Sequence, residues 1–346
     1  MIRTAQPIEN RKMNTTVTIE NIDTRFTPGL PGLERDNGQI QPGQVCLANE
    51  SRFNSAFFSE PLTAYATGWR GPNNTEALLD FIAPPVQVGR RFEYKKAENT
   101  EAFLLDSDDL RSIGSDFKRV DFKGSTQNDK TPNKGLTVRL DLDVVGEIPN
   151  WRELYTARLL QRLIRSEFRR GMDAILAAAT NTAKTWDTTA GKDPDQDILA
   201  DLLSAVDAMG LRPNRLLFGD VAWNKRLLAH RAQATAGGYA SAGLTTDELA
   251  GFLGVEGVRI SRERYQSSAS AKSKIVPDVV LMFYALEGAA PEDATHAKRF
   301  WSAVEGGGKY RVYEQQTSAK IVDVTVEHYS TVVVTSSVGL RKLTIS

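Results

Sequence analysis

Four arginines carry the most pronounced chemical pattern in this chain. Arg158, Arg162, Arg165 and Arg169 step by four, three and four residues, which on a helix sets four guanidinium groups along one face. A guanidinium pairs with both oxygens of a carboxylate or phosphate, so the stripe suits an acidic neighbouring subunit or nucleic acid. The plainer reading is a solvated or internally paired face. Asp173, four residues beyond Arg169, is the obvious partner inside the stripe.

Other arrangements that could do chemistry fall short of the spacing their chemistry requires. His230, His296 and His328 have no nucleophile motif beside them, and GxSxG is missing. They read as a helix-end, a loop and a strand histidine. Asp106, Asp108 and Asp109 lack the glycine and closing glutamate of a calcium loop and read as a solvated cluster. Glu305 to Lys309 (EGGGK) is followed by Tyr310, with no Ser or Thr to hold magnesium, and reads as a turn. The expectation is therefore no catalytic residue, no metal and no cofactor. Trp223 reads as a core anchor.

The stripe must be positioned by the stretch from Pro149 to Asn181. Trp151, Leu154, Tyr155, Leu159, Leu160, Leu163, Ile164, Phe168, Met172, Ile175, Leu176 and Ala179 recur there at three- and four-residue spacing. That pattern predicts one long amphipathic helix over 150–181, roughly 45 Å from end to end. Asn150 is the expected cap, with Glu153 reaching back.

Bulk composition narrows the function classes. The 346 residues are 41% hydrophobic, enough for one large or two modest cores. Lysine plus arginine equals aspartate plus glutamate at 43 each, so no global field draws the chain to DNA or membrane, and any nucleic-acid contact is local. A lone Cys46 excludes an internal disulfide and, with three scattered histidines, the usual zinc frameworks. The first residues lack the apolar core of a signal peptide, and the apolar run Val279 to Leu286 is too short for a bilayer.

Along the chain, residues 1–74 read as an extended arm with little core of its own. A short helix is expected over 74–82, stopped by Pro84 and Pro85. Two alternating segments, 86–94 and 136–144, read as strands paired with each other. Between them 95–135 is crowded with charge and cannot build a core, so this ribbon must dock elsewhere, through Phe103, Leu104, Ile113, Phe117 and Phe122. After the long helix, 186–194 reads as a polar linker. Helices at 197–209, 221–230 and 245–252 then alternate with strands at 215–218, 258–261, 279–285 and 310–313. Residues 233–243 read as a flexible loop, Thr245 with Glu248 as a capping box, and 321–329 and 331–336 as two final strands.

The order of parts resembles the major capsid proteins of tailed bacteriophages, the Hong Kong 97-like fold. The stretches IAPPVQVGRRFEYKK, NKGLTVRLDLD, PNWRELYTARLLQRLIRSE and LRPNRLLFGDVAWNKRLLAH carry the likeness, which runs from about Thr75 onward. It implies a mixed α+β fold: an N-terminal arm (1–74), the start of a peripheral domain (75–94), an extended loop (95–135), a peripheral domain with its spine helix (136–194), an α/β axial domain (195–322) and C-terminal strands returning to the peripheral domain (323–346). It implies a structural protein that self-assembles through pentamers and hexamers into an icosahedral head around double-stranded DNA. The protein would be made in the host cytoplasm and end in the virion, with scaffolding, portal and decoration proteins as candidate partners and no membrane. Some relatives crosslink such loops through lysine and asparagine, and no motif here selects among Lys95, Lys118, Lys123 and Lys130. Two alternatives stand beside this reading, a non-viral nanocompartment shell of the same fold and an α/β hydrolase with dispersed carboxylates.

Overall fold

The apolar stripe is a single helix, Trp151–Ala178, of 28 residues. This computed structural model describes residues 57–96, 110–117, 125–189, 191–288, 293–305 and 307–346; Phe103, Leu104 and Phe122 and the arm before residue 57 lie outside them. The helix starts differently from expectation. Asn150 adopts the left-handed conformation at φ 53°, makes no side-chain cap, and instead accepts the Leu154 N–H on its own carbonyl at 3.0 Å. Asparagine tolerates that conformation better than most residues. Asn74 makes the same entry, at φ 49°, to the helix Thr75–Ile82.

The strands in chain order are β1 (Pro85–Gln87), β2 (Arg91–Lys96), β3 (Ser125–Lys130), β4 (Asn133–Asp141), β5 (Thr180–Lys184), β6 (Arg215–Gly219), β7 (Gly257–Ser261), β8 (Arg264–Gln266), β9 (Lys272–Lys274), β10 (Val279–Phe283), β11 (Ala297–Ser302), β12 (Tyr310–Gln316), β13 (Ile321–Val334) and β14 (Arg341–Ile345). The two alternating segments of the sequence do not pair with each other. β2 pairs antiparallel with β3, Arg91 facing Lys130 and Lys96 facing Ser125, and so closes the base of the 97–124 connection. β4 pairs instead with β13, Leu140 opposite Val322 and Val138 opposite Val324. Alternation fixes which face of a strand is apolar but not which strand it meets. Leu142 and Val144 leave the strand for one helical turn, Leu142–Val145, which Asp141 caps by accepting the Asp143 N–H at 3.0 Å.

β13 is one strand of 14 residues where two were expected, and it organises the first sheet with β1, β4, β11 and β12. The second sheet runs β5-β14-β10-β6-β7. The last strand therefore departs from the expected return of 323–346 to the first sheet: β14 lies between β5 and β10, parallel to β5 and antiparallel to β10. Its residues Leu343 and Ile345 complete the core on one face of the second sheet.

The long helix joins two cores. Leu159, Leu160 and Leu163 pack with Val312, Val322, Val324 and Val326 and with Leu62 and Ala66 of the helix Glu60–Gly68. Phe168, Met172 and Ile175 pack with Leu78, Leu79 and Ile82 and with Leu217, Leu281 and Phe283 of the second sheet. Gly171 allows the crossing: a Cβ there would come within 3.2 Å of Val332 on β13. On the far face of the second sheet a third core gathers Ile198, Leu202, Leu249 and Leu253. Trp186, expected in a linker, is among its anchors at 2% exposure, its ring N–H donating to Asp197 at 2.9 Å. The expected flexible loop is a helix, Ala236–Gly243, started by Thr235 accepting the Gly238 N–H. The Thr245–Glu248 capping box is present.

Candidate functional site

The arginine stripe is split by the segment that follows β7. Arg158 and Arg162 are exposed, Arg158 resting 5.0 Å from the centre of the Tyr155 ring. Arg165 donates to Glu263 at 3.4 Å, and Glu263, only 4% exposed, also accepts the Thr75 hydroxyl at 2.9 Å. Arg169 lies 3.7 Å over the Tyr265 ring and 3.8 Å from Asp173. The helix thus presents two open guanidiniums, while the other two are engaged within the chain.

Of the expected docking residues, Ile113 and Phe117 are described, and both are open to solvent. Leu110, Ile113 and Phe117 are 88%, 104% and 75% exposed on one short segment of the β2–β3 connection. Arg111 covers one side of the Phe117 ring at 5.0 Å.

A buried ionic junction is the feature that the sequence reading missed. Arg299 of β11 is fully buried. Its Nη2 donates to Glu167 of the long helix at 2.6 Å, and its Nη1 to Asp80 at 3.0 Å and Glu76 at 3.3 Å. Its main-chain N–H donates to the Pro84 carbonyl at 3.1 Å, at the start of β1. The Ser330 hydroxyl donates to Glu167, and the Lys309 ammonium and Tyr310 hydroxyl donate to Glu76. Five elements are tied at one point. Isolated, any of these charges would be expelled from the interior, and only their mutual pairing holds them there.

The environment sorts the acidities. Burial alone would raise the Glu167 carboxyl, but Arg299, with His328 and Ser330 adding, holds it well below the usual carboxylate range. Glu76 is likewise held low against burial by Lys309 and Arg299. At Asp80 burial prevails over Arg299 and pushes the carboxyl up. Burial pushes the His328 ring down to about 4, Glu167 opposing and Arg299, Lys134 and Lys309 reinforcing. The available sequence signal was Glu167 itself, a carboxylate in the apolar register between Ile164 and Phe168. Lys309, the lysine of the EGGGK run, serves this junction from a turn closed by Gly307 N–H to Val304.

A smaller buried cluster ties the helix Pro194–Met209 to the helix Asp220–Ala232. Arg226 clasps Asp195 with two bonds, 2.6 and 2.8 Å, and His230 approaches the same carboxylate at 3.2 Å. Burial would raise the Asp195 carboxyl, but His230 and Arg226 hold it low. His296 bonds to main chain at Tyr284 and Val338. Trp223, the expected core anchor, is half-buried and stacks edge-on to Phe218 at 5.2 Å. Among the described residues no group of three His, Cys, Asp or Glu side chains could hold a metal, and no helix is long and apolar enough to cross a membrane.

Comparison with known proteins identifies the architecture. No protein-family model matches the sequence, and no curated protein matches it. Among solved structures, a phage-related protein of Bordetella bronchiseptica superposes with a TM-score of 0.60 at 17% identity, over 83% of this chain and 96% of that one. The capsid of a native GTA particle superposes at 0.51 with 12% identity, over 80% and 93%. The chain has a capsid fold. It is the mixed α+β architecture expected from the sequence, with the long helix Trp151–Ala178 as a spine between its cores. At these identities the likeness lies in the path of the chain, not in shared side chains.

Proposed function

We propose that this protein is the major capsid subunit of a tailed phage, assembling through pentamers and hexamers into an icosahedral head around double-stranded DNA. It is a structural protein and not an enzyme. The observation that carries this is the pair Ile113 and Phe117, exposed on a segment rooted by the β2–β3 ribbon in a chain of capsid fold. Two large apolar side chains at that exposure suit burial against another molecule, and in a closed shell each copy offers the same surface to its neighbour. Residues 95–135 act as the loop over a neighbouring subunit and those before Glu60 as an arm, while the first sheet with the long helix acts as the peripheral domain and the second sheet, with the helices on its far face, as the axial domain. Arg158 and Arg162, the open half of the stripe, face the interior or an acidic neighbour, with Arg165 and Arg169 holding the stripe's lower half to 263–265. The finished particle is the protein's location.

The test is the assembly state of the purified full chain, by light scattering and negative-stain microscopy, compared with an Ile113→Asp/Phe117→Asp variant. Rings or closed particles for the native chain, and folded single subunits for the variant, are expected. Unchanged assembly by the variant removes the loop from the contact. Absorbance of native particles then separates a DNA-filled head from a nanocompartment with protein cargo.

A further inference from the structure

We propose that the Arg299 junction is an acid-sensitive latch, holding the helix Thr75–Ile82 and the base of the β2–β3 ribbon against the spine helix and releasing them as pH falls. The latch is internal to one chain and stands whatever the subunit assembles into. Its geometry supplies both ends. Arg299 reaches across to Glu76 and Asp80 with its side chain and to Pro84 with its main chain, while β1 pairs in parallel with β11, Pro85 beside Arg299. The chain between Thr75 and Lys96 is thus fixed to the body of the protein by a buried guanidinium in addition to the apolar contacts of Leu78, Leu79 and Ile82 and the packing of Phe92 on Phe300.

The groups facing the junction come from every element packed there: Glu76 and Asp80 from the short helix, Glu167 and Arg170 from the spine, Lys134 from β4, Arg299 from β11, Lys309 and Tyr310 at β12, and His328 from β13. At neutral pH three carboxylates stand against the buried or half-buried cations Arg299, Lys309 and Lys134, and His328 is neutral. Both His328 ring nitrogens are buried without a hydrogen bond, Nε2 standing 4.0 Å from Glu167. A proton arriving there adds a further cation to a site whose carboxylates are themselves losing charge.

The sign follows from which state binds the proton. In the latched form His328 is held down to about 4 against its ordinary 6.5, so an opening that returns the ring to water takes up the proton first, and latching weakens as pH falls from 6.5 to 4. Glu76 and Glu167, held low in the latched form, act in the same direction at lower pH. Asp80, pushed up, acts against them. For His328 alone the opening constant rises about 40-fold between pH 6.5 and 4.5, the slope approaching tenfold per pH unit only between the two values.

Hydrogen exchange with mass spectrometry on the full chain, corrected for intrinsic rates, tests this between pH 7 and 4.5. Segments within 75–96 are expected to lose protection about 60-fold while β6 and β10 keep theirs, and His328→Asn is expected to flatten that step. Equal loss across both sheets, or an unchanged step in the variant, overturns the proposal. Should the variant fail to fold, ring NMR of the native chain decides instead, since the sequence has only three histidines. A His328 midpoint near 4 supports the latch, and one near 6.5 overturns it.

Discussion

Removing the charge of Glu167 is the perturbation for which the structure gives the clearest magnitude. Glu167 is 1% exposed and Arg299 fully buried, and their 2.6 Å contact lies between the spine helix and the first sheet. Taking away one member of a buried pair costs about 3–5 kcal/mol, because the survivor is left charged and dry. In Glu167→Gln, Arg299 still has Asp80 at 3.0 Å and Glu76 at 3.3 Å, and the amide oxygen can still accept from Ser330. The cost should lie at the low end, about 3 kcal/mol. In Arg299→Met three carboxylates lose their shared cation and Glu167 keeps only the Ser330 hydroxyl and a neutral histidine, so the cost should reach about 5 kcal/mol. The double variant removes the orphaned charge from each single and should cost well below the sum, leaving a coupling of about 2–3 kcal/mol. Urea unfolding of the unassembled subunit at pH 7.5, followed by tryptophan fluorescence, reads all three. Additivity within about 0.5 kcal/mol would show that the two residues act independently and refute the reasoning.

Further outcomes follow from single sites. Arg158→Gln/Arg162→Gln should leave subunit stability within about 0.5 kcal/mol while lowering the nucleic acid retained by particles, whereas Arg165→Gln should cost about 1–3 kcal/mol by leaving Glu263 buried with a weaker partner; urea midpoints and particle absorbance separate them. Trp186→Ala should destabilise by about 3–5 kcal/mol, since it empties the core behind β14 and releases Asp197, and unchanged thermal unfolding would exclude an anchoring role. Thr245→Ala should cost about 1 kcal/mol, because Thr245 and Glu248 satisfy each other's helix-end donors; a loss below about 0.3 kcal/mol in the same assay would mean that the cap is replaceable by water.

What the sequence determined by itself was whatever depends on near neighbours. The three- and four-residue spacing of Leu159, Leu163, Phe168 and Met172 specifies the spine helix, and the same spacing places Arg158 to Arg169 on its outer side. Thr245 and Glu248 lie three residues apart, so their capping box is written locally. Tertiary structure decided what depends on partners far along the chain. Segments 86–94 and 136–144 both alternate, yet β2 meets β3 and β4 meets β13, because alternation carries no address for the opposing strand. Trp186 sits in polar text and becomes an anchor only once β14, which begins at Arg341, returns to the second sheet. The junction is the extreme case: Glu76 and Ser330 meet Glu167 and Arg299 from opposite ends of the chain, and in a sequence with 25% charged residues only burial distinguishes those few from the rest. Burial is a property of the folded whole, so the residues that bind the spine to the sheets acquire their role only when the chain has closed around them.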